Sequence, residues 1–168
     1  MGLSETEREH LRCILQQYEE DPRVLEMDNY IQHGCVTTYQ HCWNVARVSF
    51  WINRRFHVGA DERALAVGAL LHDFYLYDWH CEGRFQHCSG LRTLFKMHGF
   101  IHPLLARENA ERCFALTPKV GNIIRSHMWP LTLFHAPSCR EAVIVCIADK
   151  YCAVLEAMYR NRQKAICA

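Results

Sequence analysis

The sequence predicts an all-α protein, a helical bundle that forms a single domain. Apolar residues recur at spacings of three and four along most of the 168 residues, as they do on the buried faces of helices. No stretch alternates apolar and polar residues in the way that a half-buried strand would. Because the length suits one domain of ordinary size, we expect residues 1–168 to share one core.

Capping residues and prolines mark where each helix should begin. The expected starts are Ser4 with Glu7 as a capping box, Asp21-Pro22, Thr37 or Thr38, Asp61, Pro103, Pro118 and Pro137. The second helix is short and should end at His33-Gly34, and later helices should end near Phe56, Asp73, Leu116, His127 and Arg162. Residues 75–90 show no clean period, so we interpret them as a loop or an irregular helix.

Composition and charge exclude several classes of protein. Half of the residues are apolar, which supplies a core, and the formal net charge of +1 lacks the positive excess of a dedicated nucleic-acid binder. Residues 1–12 are polar and acidic, without the apolar segment of a signal peptide. The apolar run 64–71 is far too short to span a membrane. We therefore expect a cytoplasmic protein without a membrane partner.

The cysteines and histidines bear on metal chemistry. The 10 cysteines include no C-x-x-C pair, so we expect reduced thiols that pack as small apolar groups. One alternative is a structural zinc site at His80, Cys81, His87 and Cys88, although adjacent ligands are unusual for such sites. The 11 histidines are many for this length, and imidazole is the commonest metal ligand in proteins.

Three predicted helices each present a histidine or an aspartate among apolar residues. His41 lies on the apolar face of its helix, His72-Asp73 ends a very apolar helix, and Asp149 interrupts the apolar face of the last one. A buried carboxylate or imidazole is costly unless it is paired or binds a metal. Alone, His72-Asp73 would be interpreted as an exposed helix end, and His41 as a core residue. Together, they indicate ligands of a shared cation.

The order of these residues resembles the HD-domain superfamily of metal-dependent phosphohydrolases. The resemblance extends over about residues 33–150, and three segments carry it: YQHCWNVA at 39–46, GALLHD at 68–73 and CIADK at 146–150. It implies an all-α HD-type bundle with a metal site in its core. It also implies that a divalent ion is coordinated by His41, His72, Asp73 and Asp149.

The resemblance further implies a second metal site. HD proteins with paired metals carry two histidines between the His-Asp pair and the last aspartate, and His102 and His127 stand there in this sequence. Asp73 would then bridge the two ions. The alternatives are a polar helix cap for His102 and a helix C-terminal histidine, favoured by the dipole, for His127. These ligands suit one or two divalent ions of Fe, Mn, Ni, Co, Zn or Mg.

The activity that the resemblance implies is hydrolysis of a phosphate ester. A bound divalent ion lowers the pKa of water from about 15.7 toward about 7, so that hydroxide can attack phosphorus. We expect catalytic roles for His72, Asp73 and Lys150 in a phosphomonoesterase or phosphodiesterase. The substrate would be a nucleotide or another small phosphorylated molecule. Candidates to bind it are Lys96, Arg125, Trp129, His33 and His98. Trp129 could instead pack the core, and each of the others could be a plain surface residue.

Two other functions share the ligand set. Some HD-fold proteins hold a mixed-valent di-iron centre and use dioxygen to cleave C–H or C–P bonds. A non-catalytic sensing or scaffold domain would use the metal for stability alone. The chain departs from cyclic-dinucleotide phosphodiesterases of the HD-GYP group, because FYLY follows His72-Asp73 and the Gly-Tyr-Pro signature is absent. A cyclic-dinucleotide substrate is therefore not expected.

Overall fold

The computed structural model describes residues 2–33, 35–78 and 98–166, with the exception of the side chains of residues 33, 98 and 160–166. Its α-helices are numbered here in chain order. They are α1 Glu5–Glu19, α2 Pro22–Leu25, α3 Thr38–Arg55, α4 Glu62–Leu71, α5 His98–Cys113, α6 Pro118–Ser126 and α7 Arg140–Ile166. The predicted all-α fold is confirmed, because the strands in these ranges form only one small sheet.

Five predicted helix starts are confirmed by hydrogen bonds of their capping residues. Reciprocal side-chain and backbone bonds form capping boxes before α1 and α3, and single side-chain acceptors precede α2, α4 and α6. The capping residues are Ser4 with Glu7, Asp21, Thr37 with Gln40, Asp61 and Thr117. Local chemistry thus decides where these helices begin.

The prediction that the second helix reaches His33-Gly34 is wrong. The helix ends at Leu25, and a short antiparallel ribbon follows it. The segments after α2 are a 3-10 turn at Glu26–Asn29, strand β1 at Ile31–His33 and strand β2 at Val36–Thr37. Strands of two and three residues are too short to show an alternating pattern, which is why the sequence did not reveal them.

The predicted start of α5 at Pro103 is also wrong, because α5 begins at His98 and contains Pro103. A proline lacks the N–H that would bond to the carbonyl four residues earlier, here that of Gly99. Gly99 lies in the first turn, so one bond is lost near the helix end rather than in its middle. Other ends differ from prediction by a few residues, as helix ends commonly do.

Helix α4 forms the centre of the bundle. Its residues 64–71 are all buried, and helices α1, α3, α5, α6 and α7 pack against it. A helix that is apolar all round is stable only inside a core. The residues that follow α4 directly therefore lie in the middle of the protein.

The described residues test part of the expectations about thiols and membranes. Cys42, Cys146 and Cys152 are buried free thiols, as expected for small apolar groups. The alternative zinc site at residues 80, 81, 87 and 88 lies outside the described residues. Within the described ranges, none of the helices combines the length and the apolar character that crossing a membrane requires.

Helices α4 and α6 pack against each other at Gly68 without room for a side chain. A Cβ atom built there would lie 2.7 Å from Cγ2 and 2.8 Å from Cδ1 of Ile123. The Ile123 side chain is fully buried and branched at Cβ, so it has little room to move. The glycine thus sets the distance between the two helices.

We expect Gly68→Ala to lower the free energy of unfolding by about 1–3 kcal/mol, because the added methyl overlaps Ile123. Gly121→Ala is the matched control, since it is also helical and its Cβ would meet Arg107 and Glu111 at an ordinary 3.4 Å. The control should be neutral or gain up to about 1 kcal/mol from helix propensity. Urea unfolding followed by circular dichroism measures both, and equal stabilities of the two variants would contradict the packing argument.

Candidate metal centre

The candidate ligands converge at the buried end of α4. His72 and Asp73 follow that helix directly, and their exposed fractions are 0% and 2%. Side chains from α3, α5, α7 and the end of α6 meet them there. The six residues that come together are His41, His72, Asp73, His102, His127 and Asp149, all of them buried. The structure therefore brings together every metal ligand that the sequence analysis proposed.

Three of these residues form what we call the first ligand group: His41, His72 and Asp149. Oδ1 of Asp149 lies 3.1 Å from Nε2 of His41 and 3.7 Å from Nε2 of His72. The three ligand atoms all lie within 4.8 Å of one another. This is a separation that a single cation between them could bridge.

The second ligand group consists of His72, Asp73 and His127, whose ligand atoms also lie within 4.8 Å of one another. His102 borders it, with Nε2 at 3.2 Å from Asp73 Oδ1 and 2.8 Å from His127 Nε2. Oδ1 of Asp73 lies 3.5 Å from His127 Nε2. The residue common to both groups is His72, whereas the bridging role of Asp73 between two ions stays a prediction.

Two buried ligand atoms have no hydrogen-bond partner in the described structure: His72 Nε2 and Asp73 Oδ1. Each lies within 4 Å of two polar atoms of the cluster, yet none of these contacts is a hydrogen bond. Leaving a buried polar atom unpaired costs about 1–3 kcal/mol. A cation placed among these atoms would offset that cost. The donor set thus fits a divalent metal ion.

Backbone carbonyls orient two of the histidine rings. His72 Nδ1 lies 2.7 Å from the carbonyl oxygen of Ala69, and His127 Nδ1 lies 2.8 Å from that of Ile124. A carbonyl oxygen only accepts, so Nδ1 carries the hydrogen and donates in both rings. In the neutral form of each ring the lone pair is then left on Nε2, which faces the cluster. Metal-binding histidines are commonly oriented in this way.

Opposite charges outweigh the effect of burial on most of these residues. Burial alone would lower the pKa of His41 and raise that of Asp149, but their mutual hydrogen bond raises the pKa of His41 to about 10 and lowers that of Asp149. Burial would likewise raise the pKa of Asp73, yet nearby His72 holds it well below its ordinary value. Burial and the neighbouring histidines lower the pKa of His127 to about 3, so that ring is neutral. A cation that bound to His41 would displace a proton.

Comparison with known proteins agrees with this geometry. The model of the HD domain family matches residues 38–154. The chain belongs to the HD-domain family. The match contains all six converging residues. Proteins of this family are mostly metal-dependent hydrolases, and they bind divalent metal ions. No curated protein and no solved structure matches the chain.

The β1–β2 ribbon, which the sequence analysis missed, orients the Asp73 carboxylate. Gln32 of β1 donates from Nε2 to Asp73 Oδ2 at 2.7 Å. The Gln32 amide is itself oriented, because the Tyr75 hydroxyl donates to its oxygen and lies 3.2 Å from Thr38 Oγ1. Asp73 therefore presents its other oxygen, Oδ1, to the histidines. One polar residue in a three-residue strand has no sequence signal that would reveal this role.

Lys150 lies at the edge of the HD-domain cluster. Its Nζ donates to the carbonyl oxygens of His127 at 2.9 Å and Cys146 at 3.3 Å. It also lies 3.9 Å from Oδ2 of Asp149. The side chain is 45% exposed, against 11% for Asp149 and less for the other ligands. The lysine thus places a positive charge where the cluster is most open.

The remaining predicted substrate residues have varied positions. Arg125 bonds through Nη2 to Nε2 of His135 at 2.8 Å, and Trp129 is 41% exposed in the loop after α6. Lys96 and the side chains of His33 and His98 lie outside the described part of the structure.

We expect Mn²⁺ to stabilise the metal-stripped protein, by about 2.7 kcal/mol when the free ion is at 100 times its Kd. Asp149→Asn should remove most of this gain, because it deletes the charge of the first ligand group. Asp61→Asn is the matched control, because Asp61 is a surface helix cap paired with Lys119 and Asn also caps helices. Thermal unfolding with and without Mn²⁺ measures the gain. An equal gain in D149N and D61N would refute the ligand assignment.

Proposed function

We propose that this HD domain is a metal-dependent phosphohydrolase that acts on a nucleotide or another small phosphate ester. One observation carries the proposal: buried imidazoles and carboxylates from five helices converge, and two of their ligand atoms lack a hydrogen-bond partner among the described residues. Such a cluster is costly in a protein that binds no cation. The family to which the chain belongs consists mostly of metal-dependent hydrolases.

Each ligand group would hold one ion. His41, His72 and Asp149 suit the first ion. Asp73 and His127 of the second group, which shares His72 with the first, suit a second ion together with the bordering His102. Divalent ions supply Lewis acidity and make water a nucleophile at neutral pH. The protein's own residues keep the rings oriented and exclude bulk solvent, since the histidine side chains are at most 5% exposed. The imidazole and carboxylate donors are compatible with Mn, Fe, Co, Ni, Zn or Mg ions.

The charges of the cluster favour a phosphate ester as the substrate. Asp73, Asp149 and the buried Glu156 bring three negative charges, and Lys150 brings one positive charge. With two divalent ions and neutral histidines, two positive charges remain uncompensated. A phosphate monoester dianion would balance them, and its attraction is strengthened by the low dielectric constant of a buried site.

We assign to Lys150 a role in binding the phosphoryl group. Its ammonium group is held beside Asp149 by two carbonyl oxygens while half of the side chain stays exposed. A charge-assisted hydrogen bond from this ammonium group to a phosphoryl oxygen would be about twice as strong as a hydrogen bond between neutral groups. Further candidates to contact the substrate are Lys96, Arg125, Trp129, His33 and His98.

The second ligand group also favours one alternative, a di-iron oxygenase. Asp73 and His127 of that group, together with the bordering His102, would bind the second iron ion that such HD-fold enzymes require. A hydrolase releases phosphate without oxygen, whereas an oxygenase consumes dioxygen and requires iron. A non-catalytic domain would bind metal and gain stability without turnover.

We expect anaerobically purified protein to contain divalent metal and to release inorganic phosphate from nucleotides or sugar phosphates without oxygen. His72→Ala should abolish both metal binding and turnover, because His72 belongs to both ligand groups. Elemental analysis and a phosphate-release screen under nitrogen measure the two properties. Oxygen uptake without any phosphate release would reject the hydrolase in favour of the oxygenase.

We expect Lys150→Met to lower kcat/KM for the phosphate ester about 10- to 100-fold while the metal content stays unchanged. This is the loss of a charge-assisted hydrogen bond worth about 1.5–3 kcal/mol. Lys119→Met is the matched control, since Lys119 pairs with Asp61 at the surface. Steady-state kinetics and elemental analysis of both variants provide the measurement. Wild-type kinetics in K150M would remove Lys150 from the mechanism.

A further inference from the structure

We propose that Glu156 is a positioning residue of the metal centre, which holds the His41 ring so that Nε2 faces the first ligand group. The inference rests on the proposed metal-dependent function and deepens it, because it names a residue that controls metal binding without being a ligand. Glu156 lies in the last helix, α7, beyond the residues that the family model matches. It is buried, with 8% of its surface exposed.

Helix α7 contacts both nitrogens of the His41 ring. Oε2 of Glu156 lies 2.9 Å from Nδ1, and Oδ1 of Asp149 lies 3.1 Å from Nε2. The two carboxylates are seven residues apart, which is about two helical turns, so they project from the same face of α7. An ionised carboxylate only accepts, so Nδ1 donates to Glu156. The Nε2 lone pair is then available to a metal ion on the Asp149 side.

His41 needs a side-chain acceptor for a structural reason. His72 and His127 stand at the C-terminal ends of α4 and α6, where backbone carbonyls are not used by the helix and can accept from Nδ1. His41 is the fourth residue of α3, where the carbonyls are engaged in helical hydrogen bonds. Its Nδ1 therefore needs a side chain as its acceptor. Glu156 contacts this Nδ1.

Asn44 orients the Glu156 carboxylate in turn. Its Nδ2 donates to Oε1 of Glu156 at 3.1 Å, which leaves Oε2 directed toward His41. Asn44 and His41 are three residues apart on α3, so they present adjacent groups to α7. The three side chains therefore form a chain of hydrogen bonds from Asn44 through Glu156 to the ring. Such outer-shell carboxylates fix the ring tautomer and raise the basicity of the ligating nitrogen.

A competing explanation is that Glu156 only joins α3 to α7. In that case its removal would lower the stability of the metal-free protein and leave its metal affinity unchanged. A positioning role predicts weaker metal affinity and an altered metal environment. The affinity and the spectrum of a bound probe ion therefore separate the two explanations.

We expect Glu156→Leu to weaken Co²⁺ affinity about 10- to 100-fold, the usual effect of losing an outer-shell partner. The visible absorption of bound Co²⁺ should also change, because His41 no longer presents Nε2 in a fixed direction. Glu141→Leu is the matched control: Glu141 is another buried carboxylate of α7, but it accepts from the backbone N–H of Asp61. Titration of metal-stripped full-length protein with Co²⁺ measures affinity and spectrum together. Wild-type affinity and spectrum in E156L would overturn the proposal.

A rescue experiment keeps the proposal testable if E156L fails to fold. Glu156→Gln introduces an amide whose oxygen can face either His41 or Asn44. Adding Asn44→Asp gives the amide hydrogens an acceptor, so that the amide oxygen turns toward His41. The double variant E156Q/N44D should therefore recover most of the Co²⁺ affinity that E156Q loses. Equal affinity of E156Q and wild type, or a double variant no tighter than E156Q, would contradict the proposed role.

These results distinguish failure of this inference from failure of the proposed function. If the wild-type chain binds no Co²⁺, both the role of Glu156 and the proposed metal-dependent function are refuted. If it binds Co²⁺ and E156L binds equally well, only the role of Glu156 is refuted. If E156L binds weakly but no phosphate ester is hydrolysed, the positioning role holds and the proposed activity is rejected.

Discussion

The structure depends on one constraint: carboxylates and imidazoles that the apolar helix α4 carries into the core must be compensated there. His72 and Asp73 follow a helix whose residues 64–71 are all buried, so they have no access to bulk water. A buried charge without a partner costs far more than the protein's net stability allows. Helices α3, α5, α6 and α7 therefore direct polar side chains to this point. The position of α4 in the bundle and the composition of the cluster have the same physical origin.

Much of this arrangement could be predicted from the sequence because its signals are local or periodic. Capping boxes at Ser4 and Thr37 are formed within four residues, so they need no tertiary information. His41 and Asp149 stand out because polar residues interrupt apolar helical faces. The resemblance to HD domains then indicated that these separate residues belong to one metal site. The family match over residues 38–154 confirms it.

The residues that the sequence analysis missed act over long distances in the chain. Gln32 bonds to Asp73 across 41 positions, and Glu156 bonds to His41 across 115 positions. Neither residue is unusual in its local pattern: one lies in a strand of three residues, and the other resembles any glutamate on a long helix. Their roles arise from packing of the finished fold. The helix start predicted at Pro103 was wrong for the opposite reason. Prolines often stand at the first position of a helix, but α5 begins at His98 and continues through Pro103.

Polar contacts within the cluster and apolar packing around it act together. His41 Nε2 lies 3.1 Å from Asp149 Oδ1, and His102 Nε2 lies 2.8 Å from His127 Nε2. These contacts satisfy most of the cluster, while α4 and its neighbours supply the apolar core. A small zinc domain differs, because its core is too small to fold without the ion. In this larger core the helices hold the rings in place, so the hydrogen bonds that orient each ring would set the affinity for a metal ion.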